Sequence, residues 1–329
     1  MEKNIFNIIV PLNSHGYRID KFLQSQINEL SRTKLQALIR DGQVKLNNII
    51  INSTSKKIKE EDQIKVNFPP PKETIIKPNK IPLDILYDDD DIIIINKSPG
   101  VVIHPGAGNY ENTIVNGLLF KYKNNLSSIG GKLRPGIVHR IDKGTSGAIV
   151  VAKNDNAHIS LSKQFSNHSI KRVYEALVWG SLIPQNGKIS EKISRSVKNR
   201  QLMAVRKEKG KIAITNYKTL KVFQNLNLPK ISLVECQLET GRTHQIRVHL
   251  SGLLRSSILC DPLYGNPKEH LARLGSEYKD LINDYEFPFL HAKVLGLIHP
   301  ITKEKLHFEV DYPSEFKNVL NLSHQLKDE

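Results

Sequence analysis

The sequence predicts an α+β protein in which a small basic unit precedes a large, strand-rich one. Three observations predict it. Pro69-Pro70-Pro71 interrupts the chain, and consecutive prolines join neither a helix nor a central strand. Before that break, two short amphipathic helix patterns are followed by a hairpin signal. After it, apolar runs of strand length recur, and only a few segments carry a helical period. A chain of 329 residues also suits two domains better than one. The expected division is a unit over 1–70, a stiff extended linker over 71–82 and a second unit over 83–329.

In the first unit, Ile19, Phe22, Leu23 and Ile27 share one helical face. Ser31 caps a second helix, with Leu35, Leu38 and Ile39 inward and Arg32, Lys34 and Arg40 outward. Gly42 stops it. Val44 and Leu46, then Ile49 and Ile51, alternate around Asn47-Asn48, which predicts a hairpin. Ile64, Val66 and Phe68 supply one more strand. In the second unit, Ile85-Leu86-Tyr87 and Ile92 to Asn96 flank Asp88 to Asp91. Four consecutive acidic residues could bind a cation, but between two strands they read more simply as a solvated turn. Asn112 is expected to cap an apolar helix running through Leu119 and Phe120. Strand-like runs follow at 148–152, 172–179, 211–217, 231–238, 290–297 and 305–310, and helices at about 156–166 and 243–252.

Composition narrows the function classes. Hydrophobic residues make up 39%, enough for a buried core, yet no run approaches the roughly 18 apolar residues of a membrane span. The first twenty residues lack the order of a signal peptide. The two cysteines, Cys236 and Cys260, form no CxxC pair, so a disulfide framework or cysteine zinc site is not expected and a cytoplasmic location is. Lys and Arg number 48 against 33 Asp and Glu, a net charge of +15 that favours polyanionic partners, above all nucleic acid. The abundance of Ile and Asn gives part of that lysine excess a blander origin in an AT-rich genome.

Reactive residues concentrate in three stretches, 139–147, 171–176 and 239–250. His139-Arg140-Ile141-Asp142 is spaced wrongly for a kinase catalytic loop, and no glycine-rich phosphate loop accompanies it. Gly144-Thr145-Ser146-Gly147 is not a nucleophile elbow, because its second glycine comes one residue early. His244 and His249 are five apart rather than four, so they do not make a helical metal pair. What remains is one aspartate, Asp142, on a glycine-containing turn beside Arg140 and Lys143. A carboxylate so placed is either a nucleophile or base beside cations or an ordinary turn residue, and residue types alone favour the turn.

Family resemblance shifts that balance. Arg18-Ile-Asp20-Lys-Phe22-Leu, Ser31-Arg32-Thr33 and Ile39-Arg40-Asp-Gly42-Gln-Val44 resemble the S4 RNA-binding domain over about the first 70 residues. His139-Arg140-Ile141-Asp142-Lys143-Gly144-Thr145-Ser146-Gly147 resembles the HRLDxxTSG signature of the pseudouridine synthase family that modifies large-subunit rRNA and some tRNAs. Further stretches match in family order: Lys171-Arg172-Val-Tyr174, Glu239-Thr-Gly241-Arg242-Thr-His244-Gln245-Ile-Arg247-Val-His249, Asp261-Pro-Leu-Tyr264-Gly265 and Leu290-His291-Ala292. Ile141 replaces the usual Leu, and Cys260 stands where a Gly often precedes Asp261. The pattern most resembles the D type of the large-subunit members.

The resemblance implies a mixed, largely antiparallel sheet and a set of roles. Asp142 resembles the essential aspartate, Tyr174 the aromatic residue that stacks on the target base, and Arg242 the basic residue paired with the aspartate. Arg140 resembles the residue that enters the RNA stack as the base leaves, and Ile246 or Val248 the apolar wall under it. Arg32, Lys34 and Arg40 are expected to meet RNA from the S4 unit, and Arg195, Lys198 and Arg200 from a basic arm. Arg247 is also expected to reach RNA, from a solvent-facing helix that it shares with His249. The chemistry implied is isomerisation of uridine, which gains and loses no atom and so calls for no cofactor or metal. The expected partner is large-subunit rRNA or the assembling subunit, with no membrane and a monomeric enzyme. A tRNA target and a non-catalytic ribosome-assembly factor are the competing readings.

Overall fold

The computed structural model describes residues 5–27, 29–69, 76–106, 108–123, 125–224, 229–265, 275–282 and 285–325. It divides into two units, Met1–Thr74 and Ile75–Glu329. Of the expected linker, 71–75 lie outside the described residues. Residues 76–82 belong to the larger unit: Ile76 is buried, and the Asn116 side chain donates to the Lys77 carbonyl at 2.8 Å.

The small unit places helices α1 (Ile19–Gln26) and α2 (Arg32–Arg40) on a four-stranded sheet. Its strands, β1 (Ile5–Ile9), β2 (Val44–Leu46), β3 (Ile49–Ile50) and β4 (Gln63–Asn67), stand in the order β1-β4-β2-β3. The expected inward residues of both helices meet Val44, Leu46, Ile64 and Val66 in one core. Asn47 and Asn48 both have positive φ, 50° and 66°, as a two-residue hairpin turn requires. Ser31 caps α2 by accepting from the Lys34 amide at 3.3 Å.

Arg32, expected outward to meet RNA, is half-exposed but engaged within the unit. Its guanidinium turns back onto Asp20, Nη2 to Oδ2 at 2.7 Å, where Arg18 and Gln36 also donate. Asp20 is completely buried at the α1–α2 contact, so it draws in the nearest cations on both helices. Lys34 and Arg40 remain exposed.

The large unit is a ten-stranded sheet. In chain order its strands are β5 (Asp84–Asp88), β6 (Ile92–Lys97), β7 (Ser146–Ala152), β8 (Lys171–Trp179), β9 (Asn186–Arg195), β10 (Met203–Val205), β11 (Lys211–Phe223), β12 (Ile231–Leu238), β13 (Leu290–Ile298) and β14 (Lys305–Glu309). They run in the order β10-β9-β11-β12-β8-β13-β7-β6-β5, with β14 against β13. Every pairing is antiparallel except β7 with β13, so the sheet is mixed and largely antiparallel, as expected. The run Ile92–Ile95 shows why these strands lack polar alternation. Ile93 and Ile95 join the core on one face, while Ile92 and Ile94 pack with Ala157 and Leu161 on the other.

Helices α3 (Ile114–Tyr122), α4 (Asp155–Ser166), α5 (Gln245–Gly252), α6 (Ser276–Ile282) and α7 (Ser314–Gln325) complete the unit. The cap of α3 is Thr113 rather than Asn112, because Thr113 and Asn116 cap each other reciprocally, while Asn112 accepts from the Asn79 side chain. The acidic run forms the β5–β6 turn. Asp89 meets His299 Nε2 at 2.9 Å, and His299 Nδ1 accepts from the Ile301 and Thr302 amides. That fixes the ring hydrogen on Nε2 and makes this an ordinary hydrogen bond.

Candidate active site

The 139–147 segment is held rigid before it reaches β7. His139 Nε2 accepts from the Val150 amide at 3.0 Å, and its ring stacks on Phe165 with centroids 4.6 Å apart. Burial and the charge of Arg172 push the His139 pKa down to about 3, so the imidazole is neutral and acts as a strut. The Asp142 carbonyl accepts from the Thr145 amide at 3.1 Å, closing a turn. Gly147 then crosses β13 so closely that a Cβ there would lie 2.3 Å from the Ala292 carbonyl oxygen, and its φ is +108°.

Beneath the turn lies Lys97, which the sequence places at the start of a turn, Lys97-Ser-Pro-Gly100. Lys97 is 1% exposed, and its ammonium donates to the carbonyls of Ser98, Val101 and Lys143 at 2.8, 2.9 and 3.0 Å. Burial pushes its pKa down to about 7, partly opposed by the negative charge of Asp142. The one side chain ties the 98–101 turn to the residue after Asp142.

The opposite wall comes from the turn before α5. Gln245 accepts from Thr240 Oγ1 and the Arg242 amide, and donates to the Ile214 carbonyl and Thr215 Oγ1, each at 2.8–2.9 Å. His244 takes a left-handed backbone, φ 56°, so the helix starts at Gln245. This register puts Arg247 in the first turn, facing Asp142. Its Nη1 lies 3.3 Å from Asp142 Oδ2, while Nε and Nη2 form a two-pronged pair with Asp261 at 2.8 and 2.7 Å. The Arg247 guanidinium also lies over the Tyr264 ring, 5.1 Å from its centroid. Burial alone would lower its pKa, but Asp261 and Asp142 outweigh burial and raise it.

His244 is the second group near the carboxylate. Its Nε2 is 3.9 Å from Asp142 Oδ2, and its Nδ1 is 2.8 Å from the Tyr264 hydroxyl. That hydroxyl already accepts from the Met203 amide at 2.8 Å. Burial lowers the His244 pKa, with Asp142 opposing.

Three expectations for this region are corrected. Arg242, expected to pair with Asp142, is exposed and gives its Nε to the Ile212 carbonyl at 3.0 Å. Arg247, expected on a solvent-facing helix, is 5% exposed and engaged by two aspartates, and His249 is fully buried. Val248 cannot wall the cleft that Ile246 lines, because two residues along a helix rotate it to the far side. There it packs with Ile193 and Ala213.

These walls face one another across an open cleft. Asp142, Tyr174, Ile246 and Leu290 all line it. Tyr174 is 7% exposed, and burial raises its phenol to about 12. Arg140 stands exposed at the cleft, its Nη1 3.5 Å from His104 Nε2. The basic arm is a hairpin of β9 and β10. In it Arg195 donates to the Arg200 carbonyl at 2.7 Å, and Lys198 and Arg200 are exposed. The cleft thus joins a partly exposed carboxylate, a locked guanidinium, an aromatic face and apolar walls.

Residues 91–252 match the RNA pseudouridylate synthase family, and residues 18–64 match the S4 domain. The ribosomal large subunit pseudouridine synthase D of Zymomonas mobilis is 43% identical over 310 residues, covering 93% of this chain and 94% of that protein. This chain belongs to the RNA pseudouridine synthase family. An uncharacterized RNA pseudouridine synthase of Bacillus subtilis is 42% identical over 317 residues, 96% of this chain and 97% of that one. Among solved structures, human RNA pseudouridylate synthase domain containing 4 aligns with a TM-score of 0.55 at 27% identity, covering 74% of this chain and 92% of that one. The protein is therefore an RNA pseudouridine synthase with an S4 domain. Among the described residues, no helix is long and apolar enough to cross a membrane.

Proposed function

We propose that this pseudouridine synthase modifies a uridine of large-subunit rRNA, with Asp142 as the reacting carboxylate. The observation that carries the assignment is the geometry at Asp142. Arg247 holds its Oδ2 at 3.3 Å, and Asp261 fixes that arginine in turn, so the carboxylate is presented to the cleft that Tyr174 and Ile246 also line. The large-subunit target rests on the name of the Zymomonas relative, similar along nearly the whole chain.

A uridine inside a stem must leave the stack first, at a cost of a few kcal/mol. Stacking on Tyr174 offsets about 1–3 kcal/mol of that, and Arg140 fills the space the base vacates. The N1–C1′ bond then breaks, uracil turns, and a C5–C1′ bond forms as the C5 hydrogen leaves as a proton and N1 takes one up, so that no atom is gained or lost. Asp142 acts either as nucleophile at C1′ or C6 or as base at C2′. The uridine and its product have the same atoms and oxidation state, so this reading needs no cofactor. Lys34 and Arg40 of the S4 unit and Lys198 and Arg200 of the arm contact RNA phosphates, positioning the substrate without reading its sequence. The enzyme acts as a monomer in the cytoplasm, where large subunits assemble.

Carbodiimide mapping of pseudouridine in total RNA, with and without the gene, tests this directly. The expected result is loss of one or a few sites in large-subunit rRNA. Loss confined to tRNA would overturn the target, and no loss at all would favour a non-catalytic RNA-binding assembly factor.

A further inference from the structure

Two arginines of the cleft are equally buried and unequally compensated. Arg247 is 5% exposed and faces two carboxylates. Arg172 is 7% exposed, yet among the described residues no carboxylate pairs with it. Its Nη2 donates to the Glu239 carbonyl at 2.9 Å, and its guanidinium lies over the Phe165 ring, 5.4 Å from the centroid. Its Nε is buried without any hydrogen-bond partner. A guanidinium stays charged when buried, so a desolvated arginine with a spare donor and no counter-charge is costly unless an anion arrives.

The surroundings show where such an anion would come from. Arg172 shares a face of β8 with Tyr174, two residues on, and lines the same cleft as Asp142. It is the second residue of its strand, beside the turn that leaves β12, so it sits at the rim of the sheet. That turn carries Gly241, where a Cβ would come within 2.9 Å of Arg172 Nη1. A side chain at 241 would therefore crowd this donor, and glycine leaves it room. Of the groups a flipped uridine brings, the uracil carbonyls and ribose hydroxyls are neutral. The phosphodiesters flanking it are its lasting anions.

We propose that Arg172 binds a phosphodiester oxygen of the RNA at a linkage next to the flipped uridine. The proposal rests on the reading that this cleft receives the target nucleotide. The uridine is thereby held by its base on Tyr174 and by its backbone on Arg172, with C1′ between them at Asp142.

The test uses the full chain and a stem-loop RNA carrying a mapped target uridine. Affinity across salt concentrations and single-turnover rate at saturating RNA are compared for the wild type, Arg172→Lys and Arg172→Gln. RNAs with a neutral methylphosphonate at the 5′ or the 3′ linkage of the uridine are included. Arg172→Gln is expected to weaken binding about tenfold and to lower the salt slope by about one. Its saturated rate should stay within about threefold, and Arg172→Lys should keep most of the affinity. One methylphosphonate should weaken wild-type binding by a similar factor and add nothing in Arg172→Gln. Unchanged affinity and slope would overturn the proposal. So would a lost rate with intact affinity, which would make Arg172 a stabiliser of the departing base. If Arg172→Gln does not fold, the wild type with the two modified RNAs decides, and a loss at neither linkage overturns the proposal. Failure of the underlying reading would show separately, as a wild-type enzyme that makes no pseudouridine in any of these RNAs.

Discussion

Asp20 and Asp142 are both carboxylates gripped by arginine, and the difference between them is how completely. Asp20 is 0% exposed and accepts from Arg18, Arg32 and Gln36. Asp142 is 19% exposed, with Oδ2 held by Arg247 at 3.3 Å and approached by His244 Nε2 at 3.9 Å. A carboxylate whose oxygens are all engaged has nothing left to offer a substrate, and it pins two helices together. One held through a single oxygen at the lip of a cleft keeps its reactivity while losing its freedom. The supporting cations differ in the same sense. Arg18 and Arg32 remain about two-fifths exposed, whereas Arg247 is itself clamped by the buried Asp261.

Variants at the two sites should therefore separate stability from chemistry. Asp20→Ala removes the fully buried member of its cluster and should destabilise the small unit by about 3 kcal/mol. Urea unfolding should show this as an earlier first transition, with the single-turnover rate on a short stem-loop changed less than about threefold. Arg247→Gln frees Asp142 to move and should cost about 100-fold in single-turnover rate, or about 2.7 kcal/mol, with RNA affinity nearly kept. Arg247→Lys, which keeps the charge but loses the two-pronged pair with Asp261, should recover only part of that rate.

Acid should also act on the scaffold site. Burial tends to raise the Asp20 pKa, but hydrogen bonds from Arg18, Gln36 and Arg32 outweigh burial and hold it well below the usual carboxylate range. Its stabilisation is therefore fully present above the unfolded value of about 3.9 and lost as pH falls toward the folded one. Circular dichroism between about pH 5 and pH 2 should show the small unit losing stability, and Asp20→Asn should flatten that slope. Deleting residues 1–70 should weaken binding to long RNA and reduce its salt dependence, an unchanged slope counting against S4 contacts. Smallest of all, Arg242→Gln should leave the saturated rate within about threefold, because its side chain is exposed and bound only to a backbone carbonyl.

How much of this could be read from the sequence depended on whether a feature was local. The Asn47-Asn48 hairpin, the Ser31 cap and the six strand-like runs follow from spacing and turn chemistry, and all are present. The strand β9 was missed because Ile189 and Ile193, four residues apart, fit one face of a helix as well as alternate positions of a strand. Helices α6 and α7 also went unread. At the site, the signature singles out Asp142, but nothing in it singles out Arg247 as the arginine that meets this carboxylate. Arg242 and Arg247 lie in one motif, and the choice turns on a helix starting at Gln245 after a left-handed His244. A helix begun at 243 carries no such information. The same register separates Ile246, in the cleft, from Val248, behind it. Lys97, at the end of an isoleucine run, offered one signal: a charged residue closing an otherwise apolar strand before Ser-Pro-Gly. Its three carbonyl partners come from two separate loops, and no local pattern encodes that.

The most direct measurement is single-turnover pseudouridine formation by Asp142→Asn on a mapped stem-loop, with affinity measured beside it. The substitution is nearly isosteric and leaves the Arg247–Asp261 pair in place. The account predicts no detectable product, an unfolding midpoint close to wild type and RNA affinity within about threefold. Product formed at a rate near that of the wild type would contradict it.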